Sequence, residues 1–415
     1  MKFLIRYFST TAISLGFLSA LSASAFIYLY HFHIHWPWLQ ALLGLGALTA
    51  WLVLPPRAMF WSGFFTGVLW FWWIGMSFRY YDLTWMIPGA VIAVGAVYGL
   101  IFRLVGALPH PAPRALAVGL LEFVHPFGFD WFRPALMFTG SVLGERLWQL
   151  WLILAILTIV LSFKHKARYL ALFALIFAAH HPLPTQTSTL NTQYSTLKSK
   201  IQLVQTFIPQ EKKWQPRYRN AIVDLNLHTI DEAIRQGKKA VILPESAFPL
   251  YLNHDIPLME KLLAKSRKIT IVTGALFYEK KPYNSTYLFK KGKVRVMHKV
   301  VLVPFGEGNP LPDWMGRWVN RIFFDGAEDY TTAKAPSDFT MLGHTWRNAI
   351  CYEATCERLY AGDPRLMVAI SNNAWFAPST EATLQRLLMQ MEADRHGTTI
   401  FHATNGPGSG VVTPR

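Results

Sequence analysis

Three short segments, far apart in the chain, each set a reactive side chain against an apolar run. They are Val241-Ile-Leu-Pro-Glu245-Ser-Ala, His298-Lys299-Val-Val-Leu-Val-Pro-Phe-Gly-Glu307 and Asn348-Ala-Ile-Cys351-Tyr-Glu353. A thiol becomes a strong nucleophile when a nearby carboxylate removes its proton. A lysine ammonium lowers the thiol pKa and stabilises the oxyanion of a tetrahedral intermediate. Backbone amides in the turn after Cys351 are candidates for a second oxyanion donor. Together these groups form an acyl-transfer set, so Glu245, Lys299 and Cys351 are read as its members. Singly each has a plainer reading: a surface-loop Glu, a solvated Lys beside a strand, a small core Cys. Their joint occurrence and order carry the expectation.

Side chains from distant segments meet when they sit at strand ends along the rim of a sheet. The second half of the chain supplies such elements. Strands are predicted at 201–206, 240–243, 269–274, 285–290, 345–350 and 366–371, and helices at 218–236, 257–266 and 380–396. This alternation argues an α/β domain with a buried sheet. No internal repeat is found.

The first half is of another kind. Of the 415 residues 52% are hydrophobic and only 15% charged, with 16 Trp and 29 Phe, and the mean hydropathy is +0.23. That balance favours a membrane protein. Spans are predicted at 8–30, 38–54, 59–78, 84–105, 115–129, 147–163 and 169–179. The first is signal-peptide-like at its start but runs long enough to cross a bilayer core. Lys2 and Arg6, then Arg57, then Arg103 and Arg114, then Lys164, Lys166 and Arg168 fall at alternate span ends. They fit one cytoplasmic face, with Arg79 and Arg133 as exceptions. Seven spans from a cytoplasmic N-terminus put residue 183 outside. The domain expectation is therefore a helical bundle over 1–182, a polar Ser/Thr-rich linker over 183–198, and an extracytoplasmic catalytic domain over 199–415.

The formal net charge is +16. No zinc-ligand set, RNA-binding aromatic motif or long basic tract points to nucleic acid, so anionic phospholipid is the expected partner. Only Cys351 and Cys356 are present, which excludes a disulfide framework and a Cys-rich metal site. A bridge between them would close a short, strained loop. His31, His33 and His35 have the spacing of metal ligands, but an interfacial loop beside Trp36 and Trp38 is the preferred reading. No metal or cofactor is expected. Asn284-Ser-Thr forms a glycosylation sequon, a motif common by chance. Glu122, in the fifth predicted span, is an intramembrane carboxylate and so a candidate site.

These motifs resemble the nitrilase superfamily, whose members carry Glu, Lys and Cys in this order. Within it, Lys299-Val-Val-Leu-Val-Pro-Phe-Gly-Glu307, Cys351-Tyr-Glu353 and Ser371-Asn-Asn-Ala-Trp-Phe376 resemble the bacterial apolipoprotein N-acyltransferases. Phe78-Arg-Tyr-Tyr-Asp82 and His125-Pro-Phe-Gly-Phe-Asp-Trp131 are similar to the short epsilonproteobacterial form. The resemblance implies a membrane bundle carrying an α-β-β-α sandwich, multi-pass in the bacterial inner membrane, with the catalytic domain in the periplasm. It implies transfer of an acyl chain from a phospholipid, through a thioester on Cys351, to the α-amine of a diacylglyceryl-cysteine lipoprotein. It also implies Glu245 as base, Lys299 as oxyanion stabiliser and Glu307 as a supporting carboxylate. Tyr352 and Glu353 match the residues after the nucleophile, Trp214 a functional Trp on a mobile loop, Trp375 an aromatic near substrate, and Asn284 an Asn near the thioester. Two departures stand out. The chain stops at Arg415 where many family members continue into another span, and Asn373 stands where many have an acidic residue.

Two other functions compete. A membrane-tethered amidohydrolase would use water as acceptor, but seven spans exceed what a tether needs. A transporter or scaffold with a degenerate domain would not need an intact triad, and a transport path usually requires more intramembrane charge. A monomer is the default assembly.

Overall fold

The computed structural model describes residues 9–180, 195–308 and 329–415. The chain divides into two compact units, Met1–His181 with Ser379–Met391 and Pro182–Pro378 with Glu392–Arg415.

Among the described residues up to 180, the first unit carries in order the α-helices α1 (Thr10–His31), α2 (Pro37–Val53), α3 (Pro56–Phe71), α4 (Ile87–Ala107), α5 (Pro111–Leu120) and α6 (Leu147–Ser162). Prolines open α2, α3 and α5, where a missing N–H costs nothing. Among the described residues, Thr10–His31 and Thr84–Ala107 are long and apolar enough to cross a membrane. Helix α4 buries Gly95, Tyr98, Gly99 and Phe102 and exposes Ile92, Leu100 and Leu104. Small and aromatic residues inside, aliphatic ones outside, is the arrangement of a lipid-facing helix. Gly63 on α3 lets α4 approach: a Cβ there would stand 2.5 Å from Phe102 Cβ.

Two buried charges serve the bundle itself. The guanidinium of Arg114 donates to Leu54 O at 2.6 Å, Leu108 O at 2.7 Å and Gly106 O at 2.8 Å. It thereby satisfies carbonyls left over at the ends of α2 and α4. Arg114, read from sequence as a flanking cation, is thus 7% exposed and structural. Glu122 is likewise buried, and its Oε2 accepts the Ala135 amide at 3.1 Å.

Several span boundaries differ from expectation. Over 115–129 the α-helix stops at Leu120, a 3-10 turn covers Leu121–Phe123, and a second one, Pro126–Gly128, follows after an extended Val124. The 59–78 span ends its α-helix at Phe71 and passes into a 3-10 segment, Trp72–Tyr81, and Lys166–Ala178 is also 3-10. Nothing in these two sequences explains the tighter winding. Of the three spaced histidines, His31 pairs through Nδ1 with Thr383 Oγ1 at 2.9 Å. Among the described residues no group of three His, Cys, Asp or Glu is disposed to hold a metal.

The second unit is layered α/β. Most of the expected linker lies outside the described residues, and 195–200, part of it read as linker, is helical. The unit continues with β1 (Ile201–Leu203), β2 (Gln205–Thr206), α7 (Gln210–Lys213), α8 (Pro216–Arg235), β3 (Ala240–Ile242), β4 (Phe248–Tyr251), α9 (Ile256–Lys265), β5 (Thr270–Glu279), β6 (Lys281–Lys290) and β7 (Lys293–His298). After these come β8 (Asp338–Met341), β9 (His344–Ile350), β10 (Leu366–Asn372), α10 (Glu381–His396), whose residues up to Met391 belong to the first unit, β11 (Thr399–Asn405) and β12 (Gly410–Val412). One six-stranded sheet runs β1-β3-β5-β6-β7 with β4 on β5. The other runs β12-β11-β10-β9-β8 with β2 on β11. The predicted single strand over 201–206 is therefore two, one in each sheet.

The inner faces of the sheets make one core: Ile242, Val272 and Met297 of the first with Trp346, Val368 and Phe401 of the second. Val241, Ile271 and Phe289 on the outer face of the first sheet pack against Ile230 of α8 and Leu262 of α9. Burial of both faces is why these strands read as continuous apolar runs rather than alternating ones.

Candidate active site

Strands β3 and β7 run in the same direction, since each is linked to the other through parallel β3–β5 and antiparallel β5–β6 and β6–β7 pairs. Glu245 lies three residues beyond the end of β3, Lys299 directly after β7, and Cys351 directly after β9. The backbone turns sharply at two of these exits: Ser246 has φ +46° and Cys351 φ +56°. Non-glycine residues rarely adopt this left-handed region, and where they do it often marks a functional turn. Gly274 on β5 makes room beneath the first exit, where a Cβ would sit 2.6 Å from Glu245 Cα.

The polar side chains there form a connected group. Lys299 is fully buried, with Nζ 2.6 Å from Glu307 Oε2. The two hydrogens of the Asn284 amide go to Glu245 Oε1 at 2.7 Å and Glu307 Oε1 at 2.8 Å. Glu307 Oε2 also accepts the Val303 amide at 3.0 Å. The main-chain N–H of Lys299 donates to Asn284 O at 3.0 Å. Burial disfavours the Lys299 ammonium, but Glu307, Glu245, Cys351 and Glu353 together more than offset this and raise its pKa. The lysine is thus a permanent cation at neutral pH, with Cys351 and both carboxylates in its field. Among the described residues Glu307 is its ion-pair partner, and an ammonium carries three N–H donors, so donors remain for an incoming anion.

Glu353 braces the group. Its Oε1 accepts the amides of Val300 and Val301, and its Oε2 accepts that of Ile350 at 2.8 Å. Both oxygens are used to tie the turn after Cys351 to the segment after Lys299. Burial pushes this carboxyl up to about 7, opposed by Lys299 and the three amides. Tyr352 is buried beside it, while Cys351 is half-buried. The Cys356 thiol donates to Tyr352 O at 3.4 Å. The sequon residue Asn284 is buried within this cluster, so it is not available to a glycan.

Trp214 ends α7 and is partly exposed; Trp375 closes the 3-10 turn Asn373–Trp375 after β10 and is half-buried. The segment leading to Trp214 is fastened at several points. Asn405 exchanges two hydrogen bonds with the Ile208 backbone at 2.8 and 2.9 Å, and Asn372 Nδ2 donates to Gln210 Oε1 at 2.8 Å. Asn373, the departure from the family pattern, donates to Pro407 O at 2.9 Å. Sequence reasoning missed Lys213. It is 1% exposed, and its Nζ donates to the main-chain O of Glu245 at 3.0 Å. The only sequence signal was its neighbour Trp214.

Residues 10–181 match a family model described as the apolipoprotein N-acyltransferase integral membrane domain. The apolipoprotein N-acyltransferase of Wolinella succinogenes is 44% identical over 98% of this chain and 97% of its own. That of Campylobacter jejuni is 36% identical over 86% of this chain and 79% of its own. Among solved structures, an amidase of the nitrilase superfamily from Nesterenkonia covers 51% of this chain and 79% of its own, at 17% identity and a TM-score of 0.36. The fold is thus that of membrane helices joined to a layered α/β domain, and the class is a membrane-bound bacterial acyltransferase. The chain belongs to the apolipoprotein N-acyltransferase family, whose members transfer acyl groups to lipoproteins.

Proposed function

We propose that this acyltransferase takes a fatty acyl chain from a phospholipid, holds it as a thioester on Cys351, and passes it to the N-terminal α-amine of a diacylglyceryl-cysteine lipoprotein. The observation that carries this reading is the linked group Glu245–Asn284–Glu307–Lys299, with Cys351 in the field of the buried ammonium. Glu245 accepts the thiol proton. The thiolate adds to the ester carbonyl, and the oxyanion is met by Lys299. Collapse breaks the C–O bond to glycerol, and the alkoxide leaves as a lysophospholipid with the proton from Glu245. In the second half the α-amine adds to the thioester and gives its proton to Glu245. The C–S bond breaks, an amide forms, and the thiolate is reprotonated. Asn284 and Glu307 orient the base and the cation, and Glu353 holds the turn. Trp214, Trp375 and Tyr352 are proposed to contact the lipid substrates.

Purified enzyme given phospholipid should gain the mass of one fatty acyl group, released by hydroxylamine, and Cys351→Ala should gain none while remaining folded. Full transfer by Cys351→Ala would sink the reading. Free fatty acid released in the absence of an acceptor amine, at the rate of acylation, would instead identify a hydrolase.

We further propose a multi-pass inner-membrane monomer with the second unit in the periplasm. The alternation of Arg57, Arg103 and Lys164 along the first unit supports it. Alkaline phosphatase fused after residue 183 should be active; an inactive fusion would reverse the orientation.

A further inference from the structure

We propose that Lys213 is a positioning residue for acyl transfer, fastening the Trp214 segment to the main chain of Glu245 and adding a second positive charge beside Cys351. The inference rests on the reaction proposed above.

Lys213 and its neighbour behave as opposites. The side chain of Lys212 is exposed, with Nζ 5.5 Å from the centre of the Tyr218 ring. Lys213 turns inward and is 1% exposed. An ammonium buried that far needs compensation, since an isolated buried charge is among the costliest groups a fold can hold. Yet its described hydrogen bond goes to a neutral acceptor, Glu245 O. A lysine kept only for structure would ordinarily be paired with a carboxylate. Here the compensating charges are those of the site. Burial lowers the Lys213 pKa to about 8, and Glu245 and Cys351 are the two groups that pull it back up. The favourable term is reciprocal: whatever Cys351 does for the ammonium, the ammonium does for the thiolate.

The geometry also couples two parts of the site. Glu245 sits before the left-handed turn at Ser246, and Lys213 grips the carbonyl between them. The other end of the same short segment is held by Gln210 and by Ile208 through Asn372 and Asn405. Trp214 therefore follows directly on a residue tied to the proposed base.

The test uses the full-length enzyme in detergent and reads alkylation of Cys351 by iodoacetamide against pH, located by peptide mass. Lys213→Met should move the alkylation midpoint up by about one unit, and Lys213→Arg should restore it. Thioester formation from phospholipid at neutral pH should fall about tenfold in the Met variant, matching the loss of thiolate. Lys213→Gln, which keeps a donor for Glu245 O without the charge, should behave as Met does. A folded Met variant with the wild-type midpoint would overturn the proposal. So would an Arg variant that shifts as far as Met, or a failure of both neutral variants to fold, which would make Lys213 a stability residue. If wild-type enzyme alkylates normally but forms no thioester, the reaction assignment fails instead.

Discussion

Arg114 in the membrane unit and Lys299 in the α/β unit are both buried cations, and they are satisfied by opposite means. Arg114 is surrounded by main-chain carbonyls, whose charge never changes. Its fork of fixed donors closes helix ends and offers nothing to a reactant. Lys299 is surrounded by ionisable groups, Glu307 and Glu245 among them, with its Nζ 2.6 Å from Glu307 Oε2. Its neighbours can change charge during a reaction while the lysine cannot. The comparison teaches that burial of charge alone does not mark a functional site; the kind of partner does.

Substitution separates the two cations. Lys299→Met should slow thioester formation about 10²–10³-fold, the usual effect of removing an oxyanion donor, as read by single-turnover mass spectrometry. Arg114→Met should leave that rate unchanged per folded molecule and lower stability by about 1–3 kcal/mol through its orphaned carbonyls. Thermal unfolding in detergent gives that value. Slower chemistry in folded Arg114→Met would erase the distinction drawn here.

A smaller effect probes a third cation that does titrate. His396 lies 2.7 Å from Asp363 and 3.4 Å from buried Glu392, which also faces Arg395 at 3.9 Å. The hydrogen bond to Glu392 raises its pKa, burial opposes, and Asp363 adds to the rise. Because the folded value exceeds the ordinary one of about 6.5, its stabilisation is complete below that pH. It is lost as pH rises through the folded pKa. Wild type should exceed His396→Gln by up to about 1 kcal/mol at pH 6, with the gap closing toward pH 9. A gap that widens with pH would mean the imidazole is neutral throughout.

The sequence disclosed the site better than its frame. Glu245, Lys299 and Cys351 each adjoin an apolar run, a pattern visible without coordinates. Lys213 was hidden because two adjacent lysines carry no sign of which one turns inward. β11 was missed for a related reason: Thr399–Asn405 looks polar yet is wholly buried. Its His402 meets Ser371 at 2.7 Å, and its Asn405 meets Thr206 at 2.8 Å. Side chains that satisfy one another in the interior leave no hydrophobic period to read. In the membrane unit, overall apolarity was legible, but the change from α to 3-10 winding was not, since both demand the same composition.

The positive φ of Cys351 bounds what evolution or design could substitute there. A side chain branched at Cβ would collide with its own backbone in that conformation, so threonine and valine are shut out on steric grounds alone. Of the two aliphatic hydroxyl side chains only serine suits this corner, and even then at the expense of the sulfur's greater ease of ionisation. The bend thus narrows the repertoire of reactive atoms before any substrate arrives.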